Sequence, residues 1–586
     1  MRQPDGMGDA ARDLLDQFSE EDLDVDQQIT NLEELIRDSN PIVILEKISI
    51  GMNLSAHLSS LDIPDDGLGL GPDLSNFVIG KVFSSSEYGD NEPSYADIAL
   101  AASKVEQAYC FSDLAELDPD SMSDEEIEQR SLSFFLKLRE LSSSRFLYHK
   151  QVEEAARRSY SPHQAQMQRA VGFNINQAID FVKYIQKMIT IVYNDQILPQ
   201  IDFTPSEAIS GTNFYESMID VYQETGEFEN PIRRTKILED GDVIDDVHSQ
   251  VSQFRKSLWP TSDFLLRNLP DDQDTDSFRR FLERMSYNIH SDSSDFRHID
   301  EFNSVHGQPL AYSGDGYLAP NLRTLRYALM DTFYYDLSNL EGYGDPEGDT
   351  GGEFGNIWGE YVEEWSYDSL KMVFPESSIY LNPHYRTDDG SWEEAADVVV
   401  SWENCLIVFE CKSKKLVLPS RGGSYGSATD DLERGIGEAT NQANTILSIL
   451  EDQEELEIEC GNSHTTLINS DYKYRYPVVV LGEQYDMVGI DLFEAVLDLP
   501  QLPWVTSVYD LQVICDLLSP WEFISYISQR PRITRSRNVR AVDEVDLLGW
   551  FVVNDYTFPE VPEDQFMMVM DYSYEVAKWL DFKYGP

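Results

Sequence analysis

Asp397, Glu410 and Lys412 are the residues of this 586-residue chain whose types and spacing point most directly to chemistry. Two carboxylates and an ammonium gathered on neighbouring strands can hold a divalent cation and polarise a water molecule beside it. Hydrolysis of a phosphodiester needs that combination. All three lie in segment 397–412, which reads as a β-hairpin with its ionisable groups at the open end.

Two β-rich runs, Asp397–Ser401 and Cys405–Cys411, flank a polar break at Glu403 and Asn404. A two-residue loop sets Trp402 opposite Cys405 and, counting outward, Asp397 opposite Glu410. A four-residue loop spanning Trp402–Cys405 keeps the same register. Asn404 tolerates positive φ, whereas Glu403 suits the first position of a type I′ turn poorly. Alternation with period two puts Val398, Val400, Trp402, Cys405, Ile407, Phe409 and Cys411 on one face. The other face carries Val399, Ser401, Leu406 and Val408, then Asp397, Glu410 and Lys412. Both faces are apolar along most of their length, as in a central strand of an α/β sheet.

Directly opposed residues have Cβ atoms about 5 Å apart, and like charges there destabilise a sheet. Asp397 and Glu410 therefore raise each other's pKa unless a cation lies between them. Hard oxygen donors with water left in the shell point to Mg²⁺ or Mn²⁺ rather than zinc. Lys412 projects from the face of Glu410 and can polarise water or stabilise charge on a phosphate. The same trio could form an ordinary strand-end salt bridge. The apolar strands, the register and the flanking elements favour the metal reading.

Asp followed on the next strand by Glu-x-Lys resembles the PD-(D/E)xK nuclease superfamily, the restriction-endonuclease-like fold. Its core of helix, three strands, helix and strand has candidates here in order. They are a helix opening at Ile357–Trp365, a short strand Ile379–Leu381, the hairpin, a helix over Leu432–Leu450, and the apolar strand Tyr476–Gly482. The likeness covers roughly residues 350–510. Ala396 stands where the family often has Pro, a loosely kept position. The resemblance implies that Asp397 and Glu410 bind the metal with help from Glu360 and the Cys411 carbonyl. It further implies that Lys412 orients or activates water and that Gln442 positions Lys412 or a phosphate. Glu438 and Gln442, four apart, share a helix face.

Acidic residues number 106 against 44 basic, a net charge of −62, while 41% of residues are apolar and 12% aromatic. Such apolar content argues for packed cores rather than disorder. An acidic surface on a folded chain suggests a salt-loving, haloarchaeal type of cytoplasm, where repulsion is screened within a few ångström. A polyanion is repelled by that surface, and counterion release adds little at molar salt. Local basic clusters therefore matter. Arg530, Arg532, Arg535, Arg537 and Arg540 form one, and Lys412, Lys414, Lys415 and Arg421 a second. Arg233, Arg234 and Lys236 form a third. These are candidates for phosphate contact, or partners for the abundant carboxylates. Cysteines 110, 405, 411, 460 and 515 show no CxxC spacing, so neither a zinc site nor a disulfide framework is expected. Cys405 and Cys411 should be core fillers. With no long apolar span or leader, a cytoplasmic protein without membrane association is expected, with homo-oligomerisation left open.

The fold class expected is multidomain: a mainly α-helical N-terminal half, then an α/β restriction-endonuclease-like domain with a helical C-terminal extension. Residues 1–40 form an acidic, partly ordered segment with short helices over Leu14–Phe18 and Ile29–Ile36. Residues 41–340 are mainly helical, with a capping box at Ser123 and Glu126, a helix over Asn174–Tyr193, a hairpin about Gly314 and Asp315, and a helix Asn321–Leu337. A linker spans 341–355, the nuclease-like domain 356–510, and the extension with its arginine cluster 511–586. That extension has helices over Asp510–Leu518 and Trp521–Ser528 before the arginines and a run Val545–Val553 of undecided type. The function expected is Mg²⁺- or Mn²⁺-dependent hydrolysis of DNA, in defence or DNA processing, with nucleic acid as partner. The alternatives are an inactive nuclease-like binding or scaffold protein, or an RNA-directed nuclease.

Overall fold

In the computed structural model, the residues described are 23–59, 70–115, 149–192, 258–290, 296–344 and 352–562 apart from short internal gaps, with parts of 123–137, 241–249 and 567–579. The chain divides into two compact units. One takes residues 1–130 and 140–354; the other takes 131–139 and 355–586. The boundary at 354 and 355 falls at the end of the expected linker. The transfer of 131–139 to the C-terminal unit was not expected.

The first unit is mainly helical where it is described. Its helices include α1 (Val25–Arg37), α2 (Pro41–Ser59), α3 (Pro72–Ser84), α4 (Tyr95–Ala115), α5 (His149–Tyr160) and α6 (Ile175–Val192). Asp24 caps α1 by accepting from the Gln27 N–H. The expected helix over Leu14–Phe18 lies outside the described residues. The Ser123–Glu126 capping box forms, with Glu126 Oε2 accepting from the Ser123 N–H at 2.8 Å. Helix α7 (Thr275–Met285) leads into β1 (Ser286–Asn288), and the expected hairpin is β2 (Leu310–Tyr312) with β3 (Tyr317–Leu318). Parallel pairing of β1 with β2 turns that hairpin into a three-stranded sheet. Asn321 caps α8 (Leu322–Ser338).

The second unit is α/β. Its helix α9 (Glu360–Val373) precedes β4 (Ile379–Leu381), then β5 (His384–Arg386), β6 (Trp392–Glu394), β7 (Val398–Trp402) and β8 (Cys405–Lys412). Next come α10 (Tyr425–Leu432), a π-helical turn Glu433–Gly437, α11 (Glu438–Gln453), β9 (Glu455–Cys460), β10 (Ser463–Ile468) and β11 (Tyr474–Leu481). After β12 (Trp504–Ser507) come α12 (Val508–Leu517), α13 (Pro520–Arg535) and α14 (Glu544–Val553). The main sheet runs β12-β11-β8-β7-β4. Strands β12, β11 and β8 are mutually parallel, and β7 and β4 are antiparallel to their neighbours. A second, antiparallel sheet, β10-β9-β5-β6, was not expected.

The central strands are buried on both faces because their sequences are apolar at consecutive positions. Every residue of β8 except Lys412 is buried. Val399, Leu406 and Val408 pack with Ala443, Ile446 and Leu447 of α11. On the opposite face Cys411 meets Ser366 of α9, and Trp402 lies against Phe374 at the end of α9. Leu132 and Leu136, from the transferred segment, join Leu416, Ala428, Leu432 and Ile436 in one core of this unit.

Helix α13 carries the arginine run further than expected. A capping box at Ser519 and Glu522 starts it, and it continues through Arg535 despite Pro531. Arg530 is 1% exposed and forms a bidentate pair with Glu544 of α14, Nε to Oε1 and Nη2 to Oε2, both at 2.9 Å. Glu544 also accepts from Trp504 Nε1 at 2.8 Å and from the Tyr526 hydroxyl at 2.6 Å. Removing one partner of such a pair strands a buried charge. Glu544→Ala should lower unfolding stability by about 3–5 kcal/mol, read from the urea midpoint. A loss under about 1 kcal/mol would show that Arg530 re-solvates instead.

Candidate active site

The hairpin has the expected register: Val398 pairs with Phe409 and Trp402 with Cys405, so Asp397 faces Glu410 one step outward. The turn differs in detail. Positive φ falls on Glu403 (50°) and not on Asn404, the sign pattern of a type II′ turn rather than type I′. The run of β-branched residues in β7 and the apolar run in β8 hold this register, because a slip of one would turn the buried set outward.

Asp397 and Glu410 are both buried. Asp397 Oδ2 accepts from the Cys411 N–H at 2.6 Å, which anchors that carboxylate across the hairpin. Glu410 is 5% exposed, and among the described residues nothing donates a hydrogen bond to it. Burial first, and then the charge of Asp397, pushes the Glu410 carboxyl up to about 8. Burial also lifts Asp397 to about 6, against the Cys411 N–H that holds it down. Lys412 attracts both charges, but its single ammonium does not offset their burial. Two carboxyls raised by burial thus stand against one ammonium.

Lys412 Nζ donates to Gln442 Oε1 at 2.7 Å, so the residues expected to cooperate from β8 and α11 do meet. The chain leaving Lys412 is fixed on several sides. The Gly482 N–H donates to the Lys412 carbonyl at 2.8 Å, and the Tyr485 hydroxyl to the Lys414 carbonyl at 3.1 Å. Asp431 accepts from the Val417 N–H and the Ser420 hydroxyl, each at 2.7 Å, and pairs with Lys414 Nζ at 3.0 Å. Burial works to raise Asp431, yet these bonds outweigh it and hold the carboxyl below its ordinary value. Gly482 must be glycine. A Cβ there would lie 2.8 Å from the Tyr361 hydroxyl and 3.2 Å from the Ser413 Cα.

The helix carboxylate that reaches this site is Glu363, not Glu360. Glu360 is exposed in the first turn of α9, and its charge is felt by Glu363. Glu363 is half-buried, accepts from Asn382 Nδ2 at 3.0 Å, and repels both Asp397 and Glu410. Burial first raises it, with the Asn382 amide opposing and the charges of Glu394 and Glu360 adding. Helical phase could have revealed this. At about 100° per residue Glu360 lies opposite the buried stripe of Val362, Trp365, Ser366 and Ser369, while Glu363 lies at its edge. Glu394, at the end of β6, is a further contributor that the sequence reading missed. Its charge raises Asp397, Glu410 and Glu363 alike. The expected metal trio of Asp397, Glu410 and Glu360 does not assemble. Among the described residues no group of three or more His, Cys, Asp or Glu side chains is poised around one point. The fitting donors are thus the Asp397 and Glu410 pair, whose hard oxygens and shared charge suit a divalent ion.

Several expected phosphate contacts are occupied within the unit. Arg530 is buried against Glu544, and Lys414 is paired with Asp431. Arg532 is exposed but donates to the Phe558 carbonyl at 2.8 Å. Lys415 and Arg421 are partly exposed and engaged by other groups. Arg535 is exposed. Arg537 lies outside the described residues, as do Arg233, Arg234 and Lys236. No helix among the described residues is long and apolar enough to cross a membrane.

Both raised carboxyls carry a pH signature for the metal-free chain. A group whose pKa is higher folded than unfolded favours folding while protonated and loses that contribution as pH rises through its folded value. For Asp397 (ordinary value 3.8, about 6 folded) and Glu410 (4.5, about 8 folded), stability should fall between about pH 4 and pH 8. Urea unfolding in EDTA at fixed KCl should show that slope, and Glu410→Gln should flatten its upper half. An unchanged slope in Glu410→Gln would mean that the carboxyl is solvated.

No family model matches the chain, and neither a curated protein nor a solved structure does.

Proposed function

We propose that the C-terminal unit is a divalent-metal-dependent nuclease of the PD-(D/E)xK type that hydrolyses phosphodiester bonds in DNA. The observation that carries this reading is Glu410, a buried carboxylate set directly across the hairpin from Asp397 and accepting no hydrogen bond among the described residues. Burying such a group is costly unless a cation compensates it. Asp397 and Glu410 hold Mg²⁺ or Mn²⁺ through carboxylate oxygens. When bound, the ion supplies Lewis-acid polarisation and a more acidic water.

The chain's own residues do the rest. The Cys411 N–H orients Asp397, leaving its second oxygen for the ion. Gln442 holds the Lys412 ammonium at the end of β8, where it orients water or stabilises charge on a phosphate oxygen. Glu363 and Glu394 add negative charge, which strengthens cation binding and repels a phosphate unless the cation is present. The choice of DNA rests on the resemblance stated from the sequence.

Purified full-length chain in concentrated KCl, with Mg²⁺ or Mn²⁺, should cleave linear, circular or single-stranded DNA. Lys412→Ala should cut the rate by about 10²–10³-fold while leaving the unfolding midpoint near that of the parent. Glu410→Ala should remove metal-dependent cleavage. Full activity in Lys412→Ala would overturn the role given to the ammonium. Cleavage of RNA alone would move the substrate to RNA, and binding without cleavage at any metal concentration would leave a binding protein.

Metal binding should also release protons. Glu410 titrates near pH 8, so at pH 7 the ion displaces its proton, and apparent affinity rises with pH up to about 8. Calorimetry of Mn²⁺ binding in buffers of different ionisation heat measures this directly. A buffer-independent heat would contradict it.

A further inference from the structure

In the helical unit, a cavity of about 250 Å³ opens between α1, the end of α3 and the segment at Phe296 and Arg297. Its charge departs from that of the chain. Acidic residues outnumber basic ones 106 to 44 overall, yet Arg37, Lys81 and Arg297 line this cavity against Glu33 and Glu87. Lys81 is buried and donates to Glu33 Oε1 at 2.7 Å and to the Arg297 carbonyl. It also lies over the rings of Phe77 and Phe296, at 5.6 and 5.5 Å from their centroids. That pair neutralises itself. Among the lining residues Arg37 and Arg297 then stand against Glu87, with the Glu301 carboxylate close by, accepting from the Arg297 N–H.

Both arginines are exposed, and among the described residues neither guanidinium has an ion-pair partner. Elsewhere Arg158, Arg284, Arg386 and Arg475 each find a carboxylate of this acid-rich chain. Arg37 and Arg297 both line the cavity, and an anion bound there can be shared between two guanidiniums. Guanidinium geometry matches phosphate oxygens in particular. Ser86 is also among the residues that line it. The volume sits just below the about 300–1,000 Å³ of pockets for drug-sized molecules. A bare phosphate would leave much of it empty, whereas a small phosphorylated metabolite would fill it.

We propose that this cavity is a binding site for a small phosphorylated ligand, its phosphate held by Arg37 and Arg297. The site is independent of the nuclease reading and makes the helical unit a ligand-binding module.

Titration calorimetry of the full chain at fixed KCl, with inorganic phosphate, pyrophosphate and AMP as separate probes, tests it. At least one probe should bind with one-to-one stoichiometry. Arg37→Gln and Arg297→Gln should each weaken binding by tenfold or more, and the double variant should abolish it. Both side chains are exposed, so folding should survive, and an unchanged thermal midpoint without ligand checks this. AMP binding far tighter than phosphate would assign a nucleotide, and equal affinities an anion alone. No binding of any probe, or undiminished binding in the double variant, overturns the proposal.

Discussion

Two carboxylates face each other across one rung of a hairpin with almost no water to share. Much of the second unit is arranged around that opposition. Apolar strands bury the rung, α11 brings Gln442 to Lys412, and Asp431 fixes the loop that leaves β8. Like charges at that spacing cost stability, and no described residue relieves them with a hydrogen bond to Glu410. A chain that keeps such a pair buried carries a constraint that packing alone does not explain.

Positive charge is scarce in this molecule, and its placement is correspondingly informative. With 106 acidic residues against 44 basic, the expected fate of a lysine or arginine is an intramolecular partner. Arg530 and Lys414 meet that fate: Arg530 is buried out of reach of a polyanion, and Lys414, though partly exposed, is paired with Asp431. Clusters read from sequence spacing alone therefore overstate the basic surface. The deciding information is three-dimensional, since Glu544 lies fourteen residues from Arg530, on the next described helix, and the fold brings the two together.

What was legible in the sequence was the part governed by local periodicity. Period two fixed which residues of β7 and β8 share a face, and the register followed from the turn. The order of helix, strands, helix and strand in the second unit was readable for the same reason. The failures lie where tertiary context decides. Glu360 is the residue that the family resemblance implies, whereas the phase of α9 relative to its buried stripe points to Glu363. The short strands β5, β6 and β10 are mostly exposed and polar, so no apolar alternation marks them, whereas β9 alternates Leu456 and Ile458 with Glu455, Glu457 and Glu459 and is legible by period two. Nor could spacing reveal that β1 pairs with β2.

Leu132 and Leu136 lie more than two hundred residues before the rest of the core they complete. The polypeptide consequently crosses between its two compact bodies three times, at 130/131, 139/140 and 354/355. A single nick in the glycine-rich stretch near residue 350 leaves the pieces interleaved. A fragment beginning at 355 starts life with a groove where two leucines belong. The interior of the C-terminal body is thus built from two stretches of chain that leave the ribosome far apart in time.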